Sequence, residues 1–273
     1  MRVLIDGREA SPEQASISVF DWAVQRGFGC FEVIRAYRGS PFRLAEHLSR
    51  LRRSADILGL SVPDRGRLTA WVETIGAAGG DCQIRVMVTG GGRDPLADAP
   101  SRIVVLWEPL PDIPTPLRML PITAPWHAAT DDNPFYGVKW LSYAPNMATT
   151  DLARRSGFDE ALLLAPDGTV LEGPTFCIAW VVAGRVETPA LTLGVLPSIT
   201  RAVLLEGAAR LGREVDEGVF PIDRLLEADE VIGLSTVKEV APVGVVGDRE
   251  FSAGPVGSDL AAVFRAIVGE ETR

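Results

Sequence analysis

Residues 135–146 read FYGVKWLSYAPN and hold a single lysine, Lys139, among apolar and aromatic side chains. The chain uses arginine almost everywhere else, because only Lys139 and Lys238 of its 27 basic residues are lysines. Arginine keeps its proton near neutral pH, whereas a lysine in an apolar environment can lose its proton. The neutral amine attacks aldehydes, so the stretch suggests a lysine that bonds covalently to a carbonyl group. An ordinary strand lysine whose amine reaches water is the alternative.

Composition restricts the class of protein. The chain has 273 residues and is 47% hydrophobic and 23% charged, which is enough apolar material for one large domain or two modest ones. A net charge of −9 disfavours nucleic acid and anionic membranes as partners. Three spaced cysteines and two histidines disfavour a disulfide framework and a histidine-rich metal site. The first residues, MRVLIDGREA, lack the apolar core of a signal peptide and no apolar run could span a membrane, so we expect a cytoplasmic protein.

Hydrophobic periodicity and turn residues divide the chain into two parts. Prolines recur between residues 109 and 116 and predict a stiff connector. We therefore predict two α+β domains, a small N-terminal one over residues 1–112 and a larger one over 117–273, with 113–116 as the linker. The predicted helices cover about 44–58, 145–156 and 199–211, and the predicted strands cover 17–20, 30–37, 83–89, 102–107 and about 230–234.

Two motifs carry groups that suit a phosphorylated heterocycle. Glu172 follows a predicted strand and precedes Gly173-Pro174, where a carboxylate can bind a protonated ring nitrogen. Most glutamates are instead solvated. Residues 196–201 (LPSITR) precede a predicted helix, whose first backbone N–H groups suit a phosphate. Plain N-capping by Ser198 is the more frequent use of such a sequence.

Arg50 and the pair Ser235-Thr236 add candidate anion-binding groups. Arg50 shares a helix face with His47 and Ser54, and its guanidinium can bind a phosphate through two hydrogen bonds. The neighbouring arginines favour a solvated helix face as the alternative. Ser235 and Thr236 follow a predicted strand and offer hydroxyl and backbone donors.

Taken in order along the chain, these residues resemble the class IV (fold type IV) pyridoxal-phosphate aminotransferases. That family includes branched-chain and D-amino-acid aminotransferases, (R)-amine transaminases and 4-amino-4-deoxychorismate lyase. The chain departs from the usual motifs of this family at two places. Phe176-Cys177 stand where the family usually has Ser-Asn, and Ser198 stands where it often has Gly. The resemblance covers nearly the whole chain and is carried by residues 26–35 (RGFGCFEVIR), 46–51 (EHLSRL), 139–143 (KWLSY), 172–175 (EGPT), 196–201 (LPSITR) and 235–243 (STVKEVAPV).

The resemblance implies a two-domain fold type IV enzyme with the active site between a small N-terminal α/β domain and a larger C-terminal domain. It implies pyridoxal 5'-phosphate as cofactor, ping-pong transfer between an amino donor and a 2-keto acid, and a homodimer. By the same resemblance, Lys139 binds the cofactor covalently and moves protons, and Glu172 holds the ring nitrogen. Tyr143 bonds the phenolic oxygen and Leu196 packs on the ring. The implied phosphate ligands are Arg50, Ile199, Thr200, Ser235 and Thr236.

The choice among family members depends on a few positions. Glu32 stands where the lyase usually carries Thr, which favours a transaminase. Phe31 replaces the Tyr of the familiar D-amino-acid enzymes, and residues 88–92 (VTGGG) lack their Arg-x-His. Arg26 and Arg93, beside glycine-rich turns, are therefore candidate partners of the substrate carboxylate, although solvent-facing loop arginines are as common. We favour a D-amino-acid transaminase that accepts some (R)-amines. A branched-chain L-amino-acid enzyme, the lyase and a binding protein that lost catalysis are the alternatives.

Overall fold

The structure is a computed structural model that describes residues 2–92, 99–127 and 133–272. Contacts between residues divide the chain into two compact units. The first unit comprises Met1–Pro111, Val138–Tyr143 and Glu271–Arg273, and the second comprises Asp112–Gly137 and Ala144–Glu270. Each unit combines helices with a sheet, so the predicted α+β class is confirmed. Among the helices in the described ranges, none is long and apolar enough to cross a bilayer.

The first unit is built on one antiparallel sheet. The elements are β1 (Val3–Ile5), β2 (Arg8–Ala10), α1 (Trp22–Arg26), β3 (Gly29–Tyr37), β4 (Ser40–Pro41), α2 (Leu44–Leu58), α3 (Arg65–Gly76), β5 (Cys82–Thr89) and β6 (Ile103–Glu108). The strands lie in the order β2-β1-β6-β5-β3-β4, and α2 packs against β3. Leu48, Leu51 and Ala55 of α2 are buried in the core on this sheet.

The helix predicted from Leu44 to Leu58 is confirmed as α2. It ends at Gly59, whose φ of 67° is left-handed and whose N–H donates to the carbonyls of Ala55 and Asp56. The strand predicted at 17–20 is wrong, because this stretch turns into α1 instead. The Asp21 carboxylate caps α1 by accepting the Ala23 N–H at 2.8 Å, so local capping outweighs the apolar pattern.

The second unit contains a mixed sheet of eight strands. The elements are β7 (Leu117–Thr123), α4 (Ala144–Arg155), β8 (Glu160–Leu164), β9 (Cys177–Val182), β10 (Arg185–Pro189), α5 (Ile199–Arg210), β11 (Val215–Gly218), α6 (Ile222–Leu226), β12 (Glu230–Ser235), β13 (Glu239–Val246), β14 (Arg249–Glu250) and α7 (Pro255–Glu271). The strands lie in the order β11-β10-β9-β12-β13-β7-β8, with β14 paired to β13. The helices predicted at 145–156 and 199–211 are confirmed as α4 and α5, each ending one residue early, and α5 packs on β12.

Candidate active site

The backbone around Lys139 is held by β3 and α2 of the first unit. The Lys139 carbonyl accepts the Phe31 N–H at 2.9 Å, and the Leu141 N–H donates to the Gly29 carbonyl at 2.8 Å. The Lys139 N–H donates to Ser54 Oγ at 3.2 Å. These bonds explain why residues 138–143 belong to the first unit, whereas the sequence-based division placed them in the larger domain. The domain bounds 1–112 and 117–273 stay a prediction.

The Lys139 amine lies against a hydroxyl and two aromatic rings. The residue is 8% exposed, and Nζ donates a hydrogen bond to Tyr143 Oη at 3.2 Å. Nζ also lies 4.3 Å from the centroid of the Phe31 ring, which meets the Tyr143 ring edge to face. No carboxylate in the described ranges forms an ion pair with this amine. A hydroxyl and two ring faces surround the nitrogen, and such a primary amine is a suitable nucleophile for an aldehyde.

Arg50 is fixed by a buried carboxylate in the same unit. Its Nε and Nη2 donate to Oε1 and Oε2 of Glu32, both at 2.7 Å, and His47 Nδ1 lies 2.8 Å from Oε2. Burial would raise the pKa of Glu32, but the charge and hydrogen bonds of Arg50 and His47 lower it to about 2. Burial keeps the pKa of His47 below its ordinary value in spite of Glu32. The predicted shared face of His47, Arg50 and Ser54 is therefore buried rather than solvated.

A tight turn positions Glu172 in the second unit. The Gly173 N–H donates to the Phe176 carbonyl at 2.8 Å. A Cβ on Gly173 would lie 2.1 Å from atoms of the Phe176 ring, so the ring closes over the turn only because glycine stands there. The turn leaves the Glu172 side chain buried at the end of the strand-like residues 169–171.

The two oxygens of Glu172 have different partners. Oε1 accepts the Leu196 N–H at 3.0 Å and lies 2.8 Å from His127 Nε2. Oε2 lies 3.5 Å from the Cys177 thiol. Burial lowers the pKa of His127, but the hydrogen bond and charge of Glu172 outweigh it, so that the pKa is raised. Burial, and then the charge of Glu172, raise the pKa of Cys177, which stays a neutral thiol.

The start of α5 offers backbone donors. Ser198 caps the helix, and its Oγ accepts the Arg201 N–H at 3.3 Å. The N–H groups of Ile199 and Thr200 belong to the first turn, where no intrahelical acceptor exists. The Arg201 side chain is buried and pairs with Glu217. The backbone of this turn, rather than Arg201, is therefore the group suited to an anion.

The turn after β12 carries the remaining candidates. Ser235 ends the strand, and its Oγ accepts the Lys238 N–H at 3.0 Å, while Thr236 lies within the turn. Lys238 Nζ donates to Glu160 Oε1 at 2.8 Å, and each of the two side chains is 9% exposed. The second lysine of the chain is thus neutralised by a carboxylate.

The candidate residues fall into one cluster in each unit. The lysine cluster is Lys139, Tyr143, Phe31, Arg50, Glu32, His47 and Ser54, and the glutamate cluster is Glu172, Leu196, His127 and Cys177. Ile199, Thr200, Ser235 and Thr236 lie in the same unit as the glutamate cluster. Arg26 is exposed and donates to the Gln25 carbonyl at 3.0 Å. Arg93 lies outside the described residues.

Sequence reasoning missed the partners that come from distant parts of the chain. Glu32 as the counterion of Arg50, and His127 and Cys177 as partners of Glu172, were not anticipated. The rarity of histidine is the one signal in the sequence, because the chain has only two. Both histidines contact a buried glutamate.

The donor set suits pyridoxal phosphate. Lys139 offers an amine without an anionic partner, and Glu172 offers a buried carboxylate whose Oε2 contacts only a weak thiol donor among the described residues. The first turn of α5 offers backbone N–H groups for a phosphate. An aldehyde, a protonated ring nitrogen and a phosphate are the groups that these residues can bind.

Comparison with known proteins gives one consistent family. The family described as amino-transferase class IV matches residues 29–246. The chain is 32% identical to the putative branched-chain-amino-acid aminotransferase of Methanocaldococcus jannaschii, over 94% of this chain and 92% of the relative. It is 27% identical to the D-alanine aminotransferase of Listeria monocytogenes, over 100% of this chain and 97% of the relative. A fold IV-transaminase from Curtobacterium pusillum superposes with a TM-score of 0.90 at 26% identity, covering 99% of both chains.

Proposed function

The chain belongs to the amino-transferase class IV family and is a pyridoxal-phosphate-dependent aminotransferase, and we propose that it moves an amino group from a D-amino acid to a 2-keto acid. The observation that carries the assigned roles is the environment of Lys139, a buried amine whose partners are a hydroxyl and two ring faces. Its relatives include both branched-chain and D-alanine aminotransferases. The identity of the donor is therefore the part that experiment must decide.

Lys139 and Glu172 take the central roles in the proposed mechanism. When bound, pyridoxal phosphate supplies an aldehyde and a ring that accepts electrons from the substrate's α-carbon. Lys139 would be the residue that holds the cofactor through its aldehyde, and its free amine would be the group placed to accept and return the proton of the substrate's α-carbon. The Tyr143 hydroxyl, 3.2 Å from Nζ, orients the amine for both tasks. The Glu172 carboxylate keeps a proton on the ring nitrogen.

Arg50 and the backbone of α5 are the proposed phosphate ligands, together with Ser235 and Thr236. Glu32 accepts two N–H groups of the Arg50 guanidinium and fixes the plane of this cationic group. The N–H groups of Ile199 and Thr200 are neutral donors at the positive end of a helix. Each of these groups suits a phosphate, the first through its charge and the second through its backbone donors.

Phe31 is the residue on which the proposed donor depends. Its ring lies 4.3 Å from Lys139 Nζ and offers no hydroxyl to a substrate carboxylate. A desolvated carboxylate needs a cationic partner, and we assign that role to Arg26 or Arg93. The turn after Arg26 is tied to the lysine segment, because Ser142 Oγ donates to the Gly27 carbonyl at 2.9 Å. An apolar wall also suits (R)-amines, which have no carboxylate.

A donor screen tests this proposal. Purified enzyme is given D-alanine, L-leucine or (R)-phenylethylamine with a common 2-keto acid, and the turnover of each is measured. We expect D-alanine to be the best donor and (R)-phenylethylamine to be accepted. Faster turnover of L-leucine would favour the second candidate, a branched-chain L-amino-acid aminotransferase, which the 32% identity to the Methanocaldococcus relative supports.

Substitution of the two arginines tests the carboxylate partner separately. In Arg26→Ala or Arg93→Ala, the KM for D-alanine should rise by the equivalent of about 2–5 kcal/mol, because a desolvated charge pair is lost. The KM for (R)-phenylethylamine should change little in the same variant. Equal changes for both donors in both variants would show that neither arginine binds the carboxylate.

Homodimer assembly is a further part of the proposal. Val19, Phe20 and Val24 lie in and before α1 and are 67%, 55% and 57% exposed, an apolar patch that suits an interface. We expect a dimer in sedimentation at the concentrations used for assay. A fully active monomer at every concentration would contradict the assembly and leave the aminotransferase function in place.

A further inference from the structure

We propose that His127 is a positioning residue that occupies Oε1 of Glu172 and thereby reserves Oε2 for the ring nitrogen of the cofactor. The inference rests on the proposed role of Glu172 and extends it to a residue with no other role in the mechanism. His127 follows β7 and lies 45 residues before Glu172 in the chain.

Oε1 of Glu172 is saturated by two donors. It accepts the Leu196 N–H at 3.0 Å and lies 2.8 Å from His127 Nε2. An ionised carboxylate only accepts hydrogen bonds, so Nε2 must carry a hydrogen. Two N–H donors use both lone pairs of this oxygen. Oε1 therefore has no capacity left for a third strong donor.

Oε2 is in the opposite condition. Its only hydrogen-bond partner among the described residues is the Cys177 thiol at 3.5 Å. A thiol is a weak donor, and the raised pKa of Cys177, caused by burial and by the charge of Glu172, keeps it neutral. The carboxylate is thus asymmetric, and Oε2 is the oxygen that can accept a strong, charged N–H donor.

Burial makes the protein partners of Glu172 important, because a buried carboxylate has lost most of its hydration. His127 supplies one of the two N–H groups that contact Oε1. The imidazole has Nε2–H in this tautomer when neutral and also when protonated, so the donor persists across neutral pH.

The turn that carries His127 has anchors of its own. The His127 N–H donates to the Ala124 carbonyl at 2.9 Å, and Trp126 Nε1 donates to Asn146 Oδ1 at 3.2 Å. The imidazole is therefore not needed to close the turn, and its contact with Glu172 is a separate feature. Trp126→Phe removes a hydrogen bond of the same turn without touching Glu172, which makes it a matched control.

The first test uses apoprotein labelled with ¹⁵N-histidine. The chain has two histidines, so the spectrum contains two ring systems that His47→Asn assigns. We expect His127 to be the Nε2–H tautomer and to titrate at lower pH in Glu172→Gln, because the charge that favours the imidazolium is gone. The Nδ1–H tautomer, or a titration that Glu172→Gln leaves unchanged, would overturn the inference.

The second test uses holoenzyme reconstituted with pyridoxal phosphate labelled with ¹⁵N in the ring. Wild type and Trp126→Phe should show a protonated ring nitrogen near neutral pH. His127→Ala should lower the protonated fraction of the ring nitrogen and reduce turnover about tenfold, as expected when one hydrogen bond to a charged group is lost. His127→Gln, whose amide can still donate, should recover most of both. An unchanged ring signal in His127→Ala, or an equal loss in Trp126→Phe, would overturn the inference.

Failure of the proposed role of Glu172 has a different signature. Wild-type holoenzyme would then show an unprotonated ring nitrogen, whereas the apoprotein would still show the hydrogen bond between His127 and Glu172. That result removes the role of Glu172 and, with it, the role given to His127. A weaker signal of the protonated ring nitrogen in His127→Ala, with the full signal in wild type, supports both roles.

Discussion

The two lysines of the chain have opposite surroundings. Lys139 in the first unit contacts a hydroxyl and two ring faces, whereas Lys238 in the second unit donates to the carboxylate of Glu160 at 2.8 Å. Lys139 is 8% exposed and the side chain of Lys238 is 9% exposed. Exposure therefore does not distinguish the two lysines, and the difference is the anion. Among the described residues, Lys139 has no carboxylate partner, and it is the lysine to which we assign the chemistry.

The two buried glutamates show the same contrast in reverse. Glu32 in the first unit accepts two bonds from Arg50 and one from His47, so both of its oxygens are occupied. Glu172 in the second unit has N–H donors on Oε1 and, among the described residues, only a thiol at Oε2. Each unit thus has one charged group in an ion pair, Glu32 or Lys238, and one whose hydrogen bonding is incomplete. The incomplete groups, Lys139 and Glu172, are the ones to which we assign chemistry.

The largest expected effect separates the two lysines. Lys139→Arg keeps the charge but lacks an amine that can be deprotonated, so turnover should fall by at least about 10⁴-fold. Lys238→Arg keeps the ion pair with Glu160 and should leave turnover near wild type. The steady-state transamination rates of the two variants are measured and compared with the rate of wild type. Activity retained by Lys139→Arg, or lost equally in both, would remove the distinction between the lysines.

The next effect concerns Glu172. Glu172→Gln keeps the shape of the side chain but removes the negative charge, so the ring nitrogen should lose its proton. Turnover should fall by about 10²–10³-fold, the cost typical of removing one electrostatic stabiliser of a developing charge. The free energy of unfolding should be affected less than turnover, because the side-chain amide oxygen of this variant can still accept the Leu196 N–H. Wild-type turnover in this variant would contradict the role of Glu172.

Glu32 should matter for stability. Glu32→Gln leaves Arg50 buried without its counterion, and the free energy of unfolding should fall by about 3–5 kcal/mol at neutral pH. Since the pKa of Glu32 is about 2 in the folded chain against an ordinary 4.5, its contribution is complete above 4.5 and is lost as the pH falls towards 2. The difference between wild type and variant should shrink over that range. Denaturant titrations at several pH values measure it.

A surface pair provides the control for that experiment. Glu9 forms an exposed ion pair with Arg2 at 2.9 Å, so Glu9→Gln should leave the free energy of unfolding almost unchanged. If Glu32→Gln behaved like Glu9→Gln, the buried network around Arg50 would not contribute to stability. The contrast between the two glutamates would then rest on Glu172 alone.

The smallest effect is expected for the affinity of the cofactor. Arg50→Lys keeps the charge but loses the planar guanidinium, which can bind a phosphate through two parallel hydrogen bonds. Pyridoxal phosphate should therefore bind more weakly by about 1.5–3 kcal/mol. Arg53→Lys, on the exposed side of the same helix, is the matched control. Dissociation constants from equilibrium titration decide the result. Equal affinity in both variants would exclude Arg50 as a phosphate ligand.

Local sequence features were predictable where local forces decide the structure. The helix from Leu44 to Leu58 follows from its apolar spacing and from Gly59, and the strand predicted at 30–37 appears as Gly29–Tyr37. The strand predicted at 17–20 failed because Asp21 caps a helix there, and a single side-chain hydrogen bond outweighs a short apolar run. Such competition is decided by contacts that periodicity does not encode.

The site residues that lie in sequence motifs could be predicted, but the residues that contact them from distant parts of the chain could not. Lys139, Tyr143 and Glu172 lie within recognisable stretches, so their types and order were enough. The contact of His127 with Glu172 spans 45 residues and depends on how β7 and the glutamate turn are placed. Pairings of this kind arise from tertiary structure, so a single sequence holds no pattern for them.

The central claim is that Lys139, and not Lys238, binds the cofactor covalently. Borohydride reduction of the holoenzyme, followed by peptide mapping, tests it directly. We expect the cofactor label on Lys139, and we expect Lys238, which is bound by Glu160, to stay unlabelled. A label on Lys238, or on neither lysine, would show that Lys139 does not bind the cofactor covalently.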